Sequence, residues 1–307
     1  MPISALVGSY AWLTLLAQTA GETQPPAAQT ITLWRAIVIG LVQGATEFLP
    51  ISSTAHVKVV PVLLGWGDPG VSFTAVIQLG SVAAILWYFW DDLSSVTIKF
   101  FKALAAKDFR SPDFRLGFGI CLGTLPIVIV GLYLKLFIPN YDESIVRSTG
   151  AIAVTSIVMA ALLGLAEVIG SRRRGFEKLD MNDGISVGLA QALALIPGVS
   201  RSGSTLTAGL FIGLTRETAA RFSFLLGMPA ILIAGLVSIT DVVGADSVVG
   251  AVPLIGGLIS AVVSSYLAIA WLIEFLKKHS TWVFVWYRLA FGAVLLIALS
   301  LGMIKNV

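Results

Sequence analysis

Six apolar runs, each long enough to cross a lipid bilayer, constrain this chain more than any other feature. They lie near residues 73–90, 116–137, 146–169, 222–240, 250–275 and 282–303. A helix needs roughly 20 apolar residues to cross the hydrocarbon core of a membrane. With 57% hydrophobic and 12% charged residues, the composition also lies far from that of a soluble domain. The sequence predicts an all-α polytopic membrane protein with about six full transmembrane spans.

The charges and the single cysteine exclude several function classes. The formal net charge is +3, but the cations lie in short loops between the apolar runs, where membrane topology explains them. We therefore expect no nucleic-acid partner. Cys121 is the only cysteine and lies within an apolar run, so an intramolecular disulfide is impossible and a thiolate metal site is not expected.

Residues 1–30 differ in pattern from the rest of the chain. An apolar run at 3–19 is followed by a polar, proline-containing linker at 21–26. A secretory signal begins with basic residues and has small residues before its cleavage site, and neither pattern is convincing here. We interpret 1–30 as an uncleaved extra span or peripheral anchor, with a signal-like segment as the alternative, and 31–307 as a single integral membrane catalytic domain.

The distribution of lysine and arginine predicts which loops face the cytoplasm. One basic cluster follows the first apolar run and another follows the third, and both should be cytoplasmic under the positive-inside rule. Their members are Lys99, Lys102, Lys107, Arg110 and Arg115, and then Arg172, Arg173, Arg174 and Lys178. The loops at 138–145 and 241–248 contain carboxylates but neither lysine nor arginine, so we place them outside.

Two short segments look like copies of one element. Residues 40–53 and 188–203 each open with Gly-Leu-x-Gln, contain a proline and carry a serine three residues after it. Gly40 and Gly188 are 148 positions apart, which indicates a repeat over about 31–137 and about 146–303. Each segment is too short to cross the membrane and return as helices. We predict an inverted-topology repeat with two re-entrant helix-turn-helix hairpins that enter from opposite faces and meet near the midplane.

The polar residues of the chain concentrate in these two hairpins. A glutamate and an arginine inside a membrane are costly enough that a functional role is the default hypothesis. The alternative is a Glu47–Arg201 ion pair that only pins the hairpins together, which leaves the many hydroxyl groups unexplained. The first hairpin carries Gln43, Glu47, Ser52, Ser53, Thr54 and His56, and the second carries Gly198, Ser200, Arg201, Ser202 and Gly203.

These residue types fit phosphate chemistry. An arginine among glycines and serines can hold a phosphate, because the guanidinium group and exposed backbone amides both donate hydrogen bonds. Glu47, with Gln43 as the weaker ligand, could hold a hard divalent cation. Ser53 could act as a nucleophile, with His56 as its base or as a general acid. The alternatives are helix capping by Ser53 or its neighbours and a histidine without a catalytic part.

In this combination the residues resemble the undecaprenyl-diphosphate phosphatase family of BacA-like integral membrane enzymes. The family pattern pairs a (Glu/Gln)-x-x-x-Glu helix with a Pro-Gly-x-Ser-Arg-Ser-Gly turn, here from Gln43 to Glu47 and from Pro197 to Gly203. The resemblance covers roughly 32–303 and includes the stretches 76–81, 221–229 and 287–288.

The resemblance implies hydrolysis of undecaprenyl diphosphate to the monophosphate, which recycles a lipid carrier for cell-wall synthesis and confers bacitracin resistance. It implies a location in the cytoplasmic membrane, an active site open to the outer face, and dependence on Mg²⁺ or Ca²⁺. Carried over by position, Gln43 and Glu47 are the residues of the acidic motif, and Ser53 and His56 are the candidates for nucleophile and base. Arg201 is the diphosphate clamp, and Ser200 and Ser202 complete the phosphate cradle.

Two departures from the family pattern reduce the negative charge of the predicted site. Gln43 and Thr74 stand where many members have glutamate, which leaves Glu47 as the main carboxylate and weakens the case for multi-carboxylate metal binding.

The alternative function is a polyprenyl-phosphate flippase or another inverted-repeat transporter, because broken helices at the midplane are typical of transporters. The expected partners are undecaprenyl diphosphate and membrane lipids. The sequence leaves open whether Ser53 or water is the nucleophile, which lipid chain length is preferred, and whether the protein is a monomer or a homodimer.

Overall fold

The computed structural model describes residues 31–138, 144–243, 249–304 and 306. Within these ranges the chain forms eleven α-helices and no β-strand, so the all-α prediction is confirmed. The predicted anchor at 1–30 lies outside the described residues. The helices are α1 (Leu33–Glu47), α2 (Ser53–Leu63), α3 (Val71–Tyr88), α4 (Trp90–Ala105), α5 (Pro112–Phe137), α6 (Thr149–Ile169), α7 (Met181–Ala192), α8 (Arg201–Phe211), α9 (Arg216–Val243), α10 (Ala251–Lys278) and α11 (Trp282–Ser300).

Six of these helices are long and apolar enough to cross a membrane, namely α3, α5, α6, α9, α10 and α11. Their mean hydropathy ranges from 1.6 to 2.3. Each overlaps one of the six predicted runs, so the prediction of six helices able to span a membrane is confirmed for the described residues. Large apolar side chains such as Leu136, Val263 and Val294 are exposed on these helices, which suits contact with lipid because lipid tails are as apolar as the side chains themselves.

The short helices form two helix-turn-helix pairs with matching boundaries. Residues 48–52 join α1 to α2. In the second pair, α7 continues through a 3-10 helix at Leu193–Leu195, and residues 196–200 lead into α8. Every boundary of the first pair recurs 148 positions later in the second. The two segments therefore adopt the same local structure, as the repeated sequence pattern predicts.

Both turns end on a serine in the left-handed backbone region. Ser52 has a φ of 76° and Ser200 has a φ of 72°, and such a conformation costs a non-glycine residue about 1–3 kcal/mol. Each serine caps the following helix. The Ser52 hydroxyl accepts from the N–H of Ala55 at 3.4 Å, and the Ser200 hydroxyl accepts from the N–H of Gly203 at 3.1 Å.

These caps correct the residue pairing that we inferred from the sequence. Counting from the prolines matched Ser53 with Ser200, whereas the helix caps match Ser52 with Ser200. The difference arises because the second turn places one more residue between its proline and its capping serine. Ser53 is consequently equivalent to Arg201, and each is the first residue of its helix.

Each hairpin packs its first helix against a long span through small residues. A Cβ atom at Gly40 of α1 would overlap the carbonyl of Gly257 in α10, and one at Gly188 of α7 would overlap the backbone of Gly123 in α5. Such close backbone contact is typical of helix pairs in membranes. Because α10 follows the second hairpin and α5 follows the first, each hairpin is held by a span from the other half of the chain.

The basic segment after α3 is a helix, which the sequence analysis treated as a loop. α4 buries none of its residues. It exposes Ile98 and Phe101 beside Lys99 and Lys102. Apolar and basic residues alternate along its sequence, so no continuous apolar run predicts this helix. An amphipathic basic helix of this kind suits the membrane interface.

Candidate active site

The turns of the two hairpins contribute to one cavity with a volume of about 320 Å³. Most of its polar wall comes from the two turns and the helix residues beside them. The rest of its wall is mainly apolar and comes from α3, α5 and α9, which also contribute the polar residues Gln78, Lys135 and Ser238. The polar wall includes Glu47, Ser52, Ser53, Thr54, Gln78, Ser200 and Arg201, and the apolar wall includes Val71, Ile127, Leu132, Ile231 and Val237. A pocket with few converging polar groups and a large apolar wall is typical of a binding site for an amphipathic ligand.

The Glu47 carboxylate lies at the centre of the polar wall and is 5% exposed. Its Oε2 accepts hydrogen bonds from the Gln43 amide at 2.7 Å and from the Ser53 hydroxyl at 2.6 Å. Its Oε1 accepts from Nη2 of Arg201 at 3.1 Å. The carboxylate therefore joins three of the predicted site residues, two from its own hairpin and one from the other.

The Arg201 guanidinium has unused donors. Nε and Nη1 are buried and have no hydrogen-bond partner among the described residues, although a buried polar group normally has one. The group lies against the backbone of α9, where a Cβ atom at Gly227 would overlap Nη1. Arg201 lines the cavity, so its guanidinium group fits an oxyanion bound there, and the missing side chain at Gly227 makes room for the group.

The other turn residues divide into two groups. Thr54, Gly198 and Ser200 line the cavity with Ser52. Ser202 and Gly203 do not line it: the Ser202 hydroxyl donates to the carbonyls of Glu47 and Leu49, which ties the second turn to the first, and Gly203 donates to the Ser200 cap. Their predicted role in binding substrate stays a prediction.

Gly198 has to be glycine for two reasons. It has a φ of 88°, a conformation that glycine adopts without a steric penalty. A Cβ atom there would also overlap the Thr155 hydroxyl, which donates to the carbonyl of Pro197 at 2.7 Å. The glycine thus allows the turn to approach α6 closely.

His56 is oriented away from the predicted serine partner. Its Nδ1 lies 2.7 Å from the carbonyl of Ser52 and its Nε2 lies 2.6 Å from the Tyr287 hydroxyl. A carbonyl only accepts, so Nδ1 carries the proton and Nε2 of the neutral ring accepts from Tyr287. The ring also stacks on Phe291 at a centroid distance of 4.6 Å. Ser53 instead donates to Glu47.

Arg288 connects the backbones of both turns. This residue of α11 has 0% exposure. Its Nη1 donates to the carbonyl of Pro50 at 3.0 Å, and its Nη2 donates to the carbonyls of Gly198 at 2.6 Å and Val199 at 3.2 Å. With a further bond from Nε to the carbonyl of Ser156, Arg288 donates four hydrogen bonds to backbone carbonyls. The dipoles of these carbonyls stabilise the buried positive charge of the side chain.

The sequence analysis did not assign Tyr287 and Arg288 to the site, although a signal was present. Arg288 lies well inside α11 rather than at its end, and an arginine inside an apolar span suggests a functional or packing role by default. Tyr287 gave no comparable signal, because tyrosine is common near the ends of membrane spans.

The described residues contain no group of three or more histidine, cysteine, aspartate or glutamate side chains arranged to hold a metal ion. Gln43 and Glu47 alone supply too few oxygen atoms for a cage made of protein. Mg²⁺, however, commonly takes one or two carboxylates together with phosphate oxygens of the substrate. The residues present fit a metal of that kind, which would enter with a phosphorylated ligand.

A separate set of ion pairs joins the segment between α6 and α7 to the neighbouring ends of α6, α7 and α9. The Glu167 carboxylate contacts Arg216 and Arg172, and Arg174 donates two hydrogen bonds to Asp183. Those bonds raise the pKa of the Arg174 guanidinium above its ordinary value. These pairs fix the loops around the second hairpin and lie outside the cavity.

The helices and the cavity define a polytopic membrane protein with a cavity to which two similar helix-turn-helix pairs contribute their turns. The family model of the bacitracin resistance protein BacA matches residues 36–294. The chain therefore belongs to the BacA family.

Curated relatives agree with this assignment. An undecaprenyl-diphosphatase of a Nostoc species is 63% identical over 279 residues, which covers 91% of this chain and 87% of the relative. An undecaprenyl-diphosphatase of a Synechocystis species is 61% identical, with 89% of this chain and 84% of the relative covered. The one from Trichodesmium erythraeum is 57% identical, with coverage of 91% and 90%.

Proposed function

We propose that this protein is an undecaprenyl-diphosphatase, which hydrolyses undecaprenyl diphosphate to undecaprenyl phosphate and inorganic phosphate. The reaction recycles the lipid carrier of cell-wall synthesis and accounts for bacitracin resistance. The observation that carries the proposal is the single cavity in which the Glu47–Arg201 pair adjoins a long apolar wall. Family membership and the names of the curated relatives support the same reaction.

The shape of the cavity fits a lipid diphosphate. The prenyl chain lies along the apolar wall formed by side chains such as Ile127, Leu132 and Ile231. The diphosphate lies at the two turns, where the Arg201 guanidinium donates hydrogen bonds to its oxygen atoms. Charge-assisted hydrogen bonds from a guanidinium are the strong ones in phosphate recognition.

Ser53 is the nucleophile in our mechanism. The Ser53 hydroxyl attacks the terminal phosphorus and its proton passes to Oε2 of Glu47, 2.6 Å away. The bridging P–O bond breaks and undecaprenyl phosphate leaves. Water then attacks the phosphoserine, the P–O bond to Ser53 breaks, and Glu47 returns its proton to the serine oxygen. The proton that the water loses leaves with inorganic phosphate, so Ser53 and the Glu47 carboxylate are both restored. Arg201 stabilises the charge that develops on the phosphoryl oxygens in both steps.

Two further groups support this reaction. His56 donates from Nδ1 to the Ser52 carbonyl, so it fixes the residue before the nucleophile, and the role of base falls to Glu47. Gln43 and Glu47 would hold a divalent cation, Mg²⁺ or Ca²⁺, which supplies positive charge to the diphosphate when bound.

In the membrane, we place the two helix-turn-helix pairs as re-entrant hairpins of an inverted repeat. Broken helices at membrane depth are tolerated where they line a cavity, and both turns line one here. The positive-inside rule then orients the basic loops to the cytoplasm. We place the protein in the cytoplasmic membrane with its cavity open to the outer face. Whether it acts as a monomer or a homodimer does not affect this site, because both turns come from one chain.

A flippase for polyprenyl phosphates is the second candidate function. The matching boundaries of the two hairpins favour it, because transporters are often built from repeats with broken helices at the substrate site. A buried serine that is hydrogen-bonded to a carboxylate favours the enzyme, since transport requires no nucleophile.

The test is phosphate release from undecaprenyl diphosphate by protein purified in detergent, with and without Mg²⁺. We expect release that depends on the metal and that Arg201→Ala lowers by at least about 100-fold, the usual effect of removing one strong oxyanion donor. Undecaprenyl phosphate serves as the control lipid. Absence of release from folded wild-type protein would contradict the proposal and favour the flippase.

A further inference from the structure

A second cavity lies beside the proposed active site, and of the residues given a role so far only Gln43 and Thr54 line it. Its volume is about 50 Å³, and it shares Thr54, Val71, Gln78 and Pro197 with the larger cavity. Holding one water takes about 10–15 Å³, so this space suits a group of phosphate size and is too small for a lipid headgroup with its glycerol. A product that leaves the diphosphate site past these shared residues enters the smaller cavity directly.

The charges around this smaller cavity favour an anion. Its ionisable lining residues are Lys58, Arg147 and Asp68, two cations and one carboxylate. The Lys58 ammonium donates to the carbonyl of Arg147 at 2.9 Å, which holds the two cationic residues next to each other. The wall also has four neutral hydrogen-bonding side chains, Gln43, Thr54, Thr74 and Gln78, and several apolar ones, among them Val57, Val71 and Ile152.

The smaller cavity also reaches the surface of the protein. Asp68 and Gly70 line it and are exposed, in the segment between α2 and α3. The larger cavity, by contrast, is bounded mainly by apolar side chains of the spans. A free phosphate that moved along that wall would meet one cation, Lys135, among apolar side chains and would lose its hydration at a high cost, whereas the smaller cavity offers it two cations and several polar groups.

We infer that the smaller cavity receives inorganic phosphate from the active site and passes it to solvent beside Asp68. This inference rests on the proposed phosphatase function. The reaction frees a hydrophilic and a lipidic product, and the two cavities give each product its own route. Lys58 and Arg147 attract the phosphate, while the Asp68 carboxylate at the exposed side weakens its binding and promotes release.

The kinetic test is product inhibition by added inorganic phosphate. The quantity to compare is the ratio of the inhibition constant for phosphate to the KM for undecaprenyl diphosphate. We expect this ratio to rise about 5- to 10-fold in Arg147→Gln and in Lys58→Gln, and to fall at least about twofold in Asp68→Asn, since each change removes one charge near the anion. Lys99→Gln, a cation on α4 that lines neither cavity, should leave the ratio unchanged.

Direct binding separates the two phosphate sites. In Arg201→Ala protein the active site has lost its clamp, so phosphate measured by isothermal titration calorimetry should still bind to the smaller cavity. That binding should weaken about 5- to 10-fold in Arg201→Ala/Arg147→Gln protein. Adding phosphatidylglycerol to the detergent should not compete, whereas competition would assign the cavity to a lipid headgroup and overturn the inference.

The outcomes distinguish this inference from the phosphatase proposal. Wild-type activity with unchanged ratios in folded Arg147→Gln and Lys58→Gln proteins would overturn the exit route and leave the phosphatase intact. Absence of phosphate binding in Arg201→Ala protein, with wild-type thermal stability, would overturn it as well. Failure of wild-type protein to release any phosphate from the lipid would remove the function on which the route depends.

Discussion

The two hairpins have the same backbone and different chemistry. Helix boundaries and capping serines recur at an offset of 148 positions. At the same offset, however, Glu47 of the first hairpin corresponds to Leu195 of the second, and Ser53 corresponds to Arg201. A repeated scaffold therefore places equivalent positions near one another, and the side chains at those positions decide what each copy contributes.

The Glu47 carboxylate illustrates this division of labour. It accepts a hydrogen bond from Ser53 on one oxygen and from Arg201 on the other. These two donors are equivalent residues, each the first residue of the second helix in its hairpin. In the proposed mechanism, one copy supplies the nucleophile and its base, and the other supplies the cation that binds phosphate.

The paired glutamines extend the comparison. Gln43 donates to Glu47, whereas neither side-chain polar atom of its equivalent, Gln191, has a hydrogen-bond partner among the described residues. The reason is visible in the sequence, since Leu195 offers no acceptor where Glu47 does. In the proposed mechanism Gln43 therefore orients the Glu47 carboxylate, whereas Gln191 is a buried amide that has no carboxylate to orient.

The largest expected effect distinguishes neighbouring serines of the first turn. Ser53→Ala should lower the rate of phosphate release by at least about 1,000-fold, because it removes the nucleophile that the Glu47 carboxylate activates. Ser52→Ala removes a helix cap and should cost about 1 kcal/mol of stability with a much smaller loss of rate. Similar losses of rate in the two variants would mean that water, not Ser53, attacks the phosphorus.

Arg288 tests whether the two turns depend on a common support. Arg288→Lys keeps the charge but cannot reach carbonyls of both turns with a planar fork. We expect a loss of stability of about 3 kcal/mol or more, as for other broken buried polar networks, and a fall in rate of about 100-fold. Thermal unfolding and phosphate release are the measurements, and an unchanged melting temperature would contradict the supporting role.

Gly227 tests the position of the Arg201 guanidinium. Gly227→Ala should displace Nη1 and lower the rate about 10- to 100-fold, because a small misplacement of a positioned group is costly. Gly235→Ala on the same helix is the control, since the atoms nearest to its Cβ belong to the flexible side chain of Leu79 and the carbonyl of Ala75 and not to Arg201. Equal rates in the two variants would show that the guanidinium does not need the space at Gly227.

The smallest effect should come from the glutamine pair. Gln191→Leu replaces an amide without partners by an apolar group of similar size and should leave stability unchanged or raise it by about 1 kcal/mol. Gln43→Leu should lower the rate about tenfold by freeing Oε2 of Glu47. Loss of stability in Gln191→Leu would indicate that ordered water bonds to this amide.

The spans and hairpins could be predicted from the sequence because their signals are local. Hydropathy identifies the six spans, and the Gly-Leu-x-Gln and proline pattern identifies both turns. The helix α4 was missed because its apolar and basic residues are mixed. The pairing of Ser53 with Ser200 failed because the proline and the capping serine are spaced differently in the two turns.

The site residues were found by type, whereas their contacts depend on the folded chain. His56 is one turn after Ser53 in sequence, yet its ring contacts Tyr287, which is 231 residues away. Likewise, the contacts of Arg288 with both turns bridge distant segments. Such contacts follow from the packing of α11 against α6, which brings Tyr287 and Arg288 within reach of the two turns, and they carry no local sequence signal.

The central claim is that the two turns form one catalytic site through the Glu47–Arg201 pair. A double-mutant cycle tests it most directly, with phosphate release measured for Glu47→Gln, Arg201→Gln and the double variant. Residues that act as a unit are strongly non-additive, so the double variant should lose about as much activity as the worse single variant. If its loss instead equals the product of the two single losses, the residues act independently and the account of a shared site is wrong.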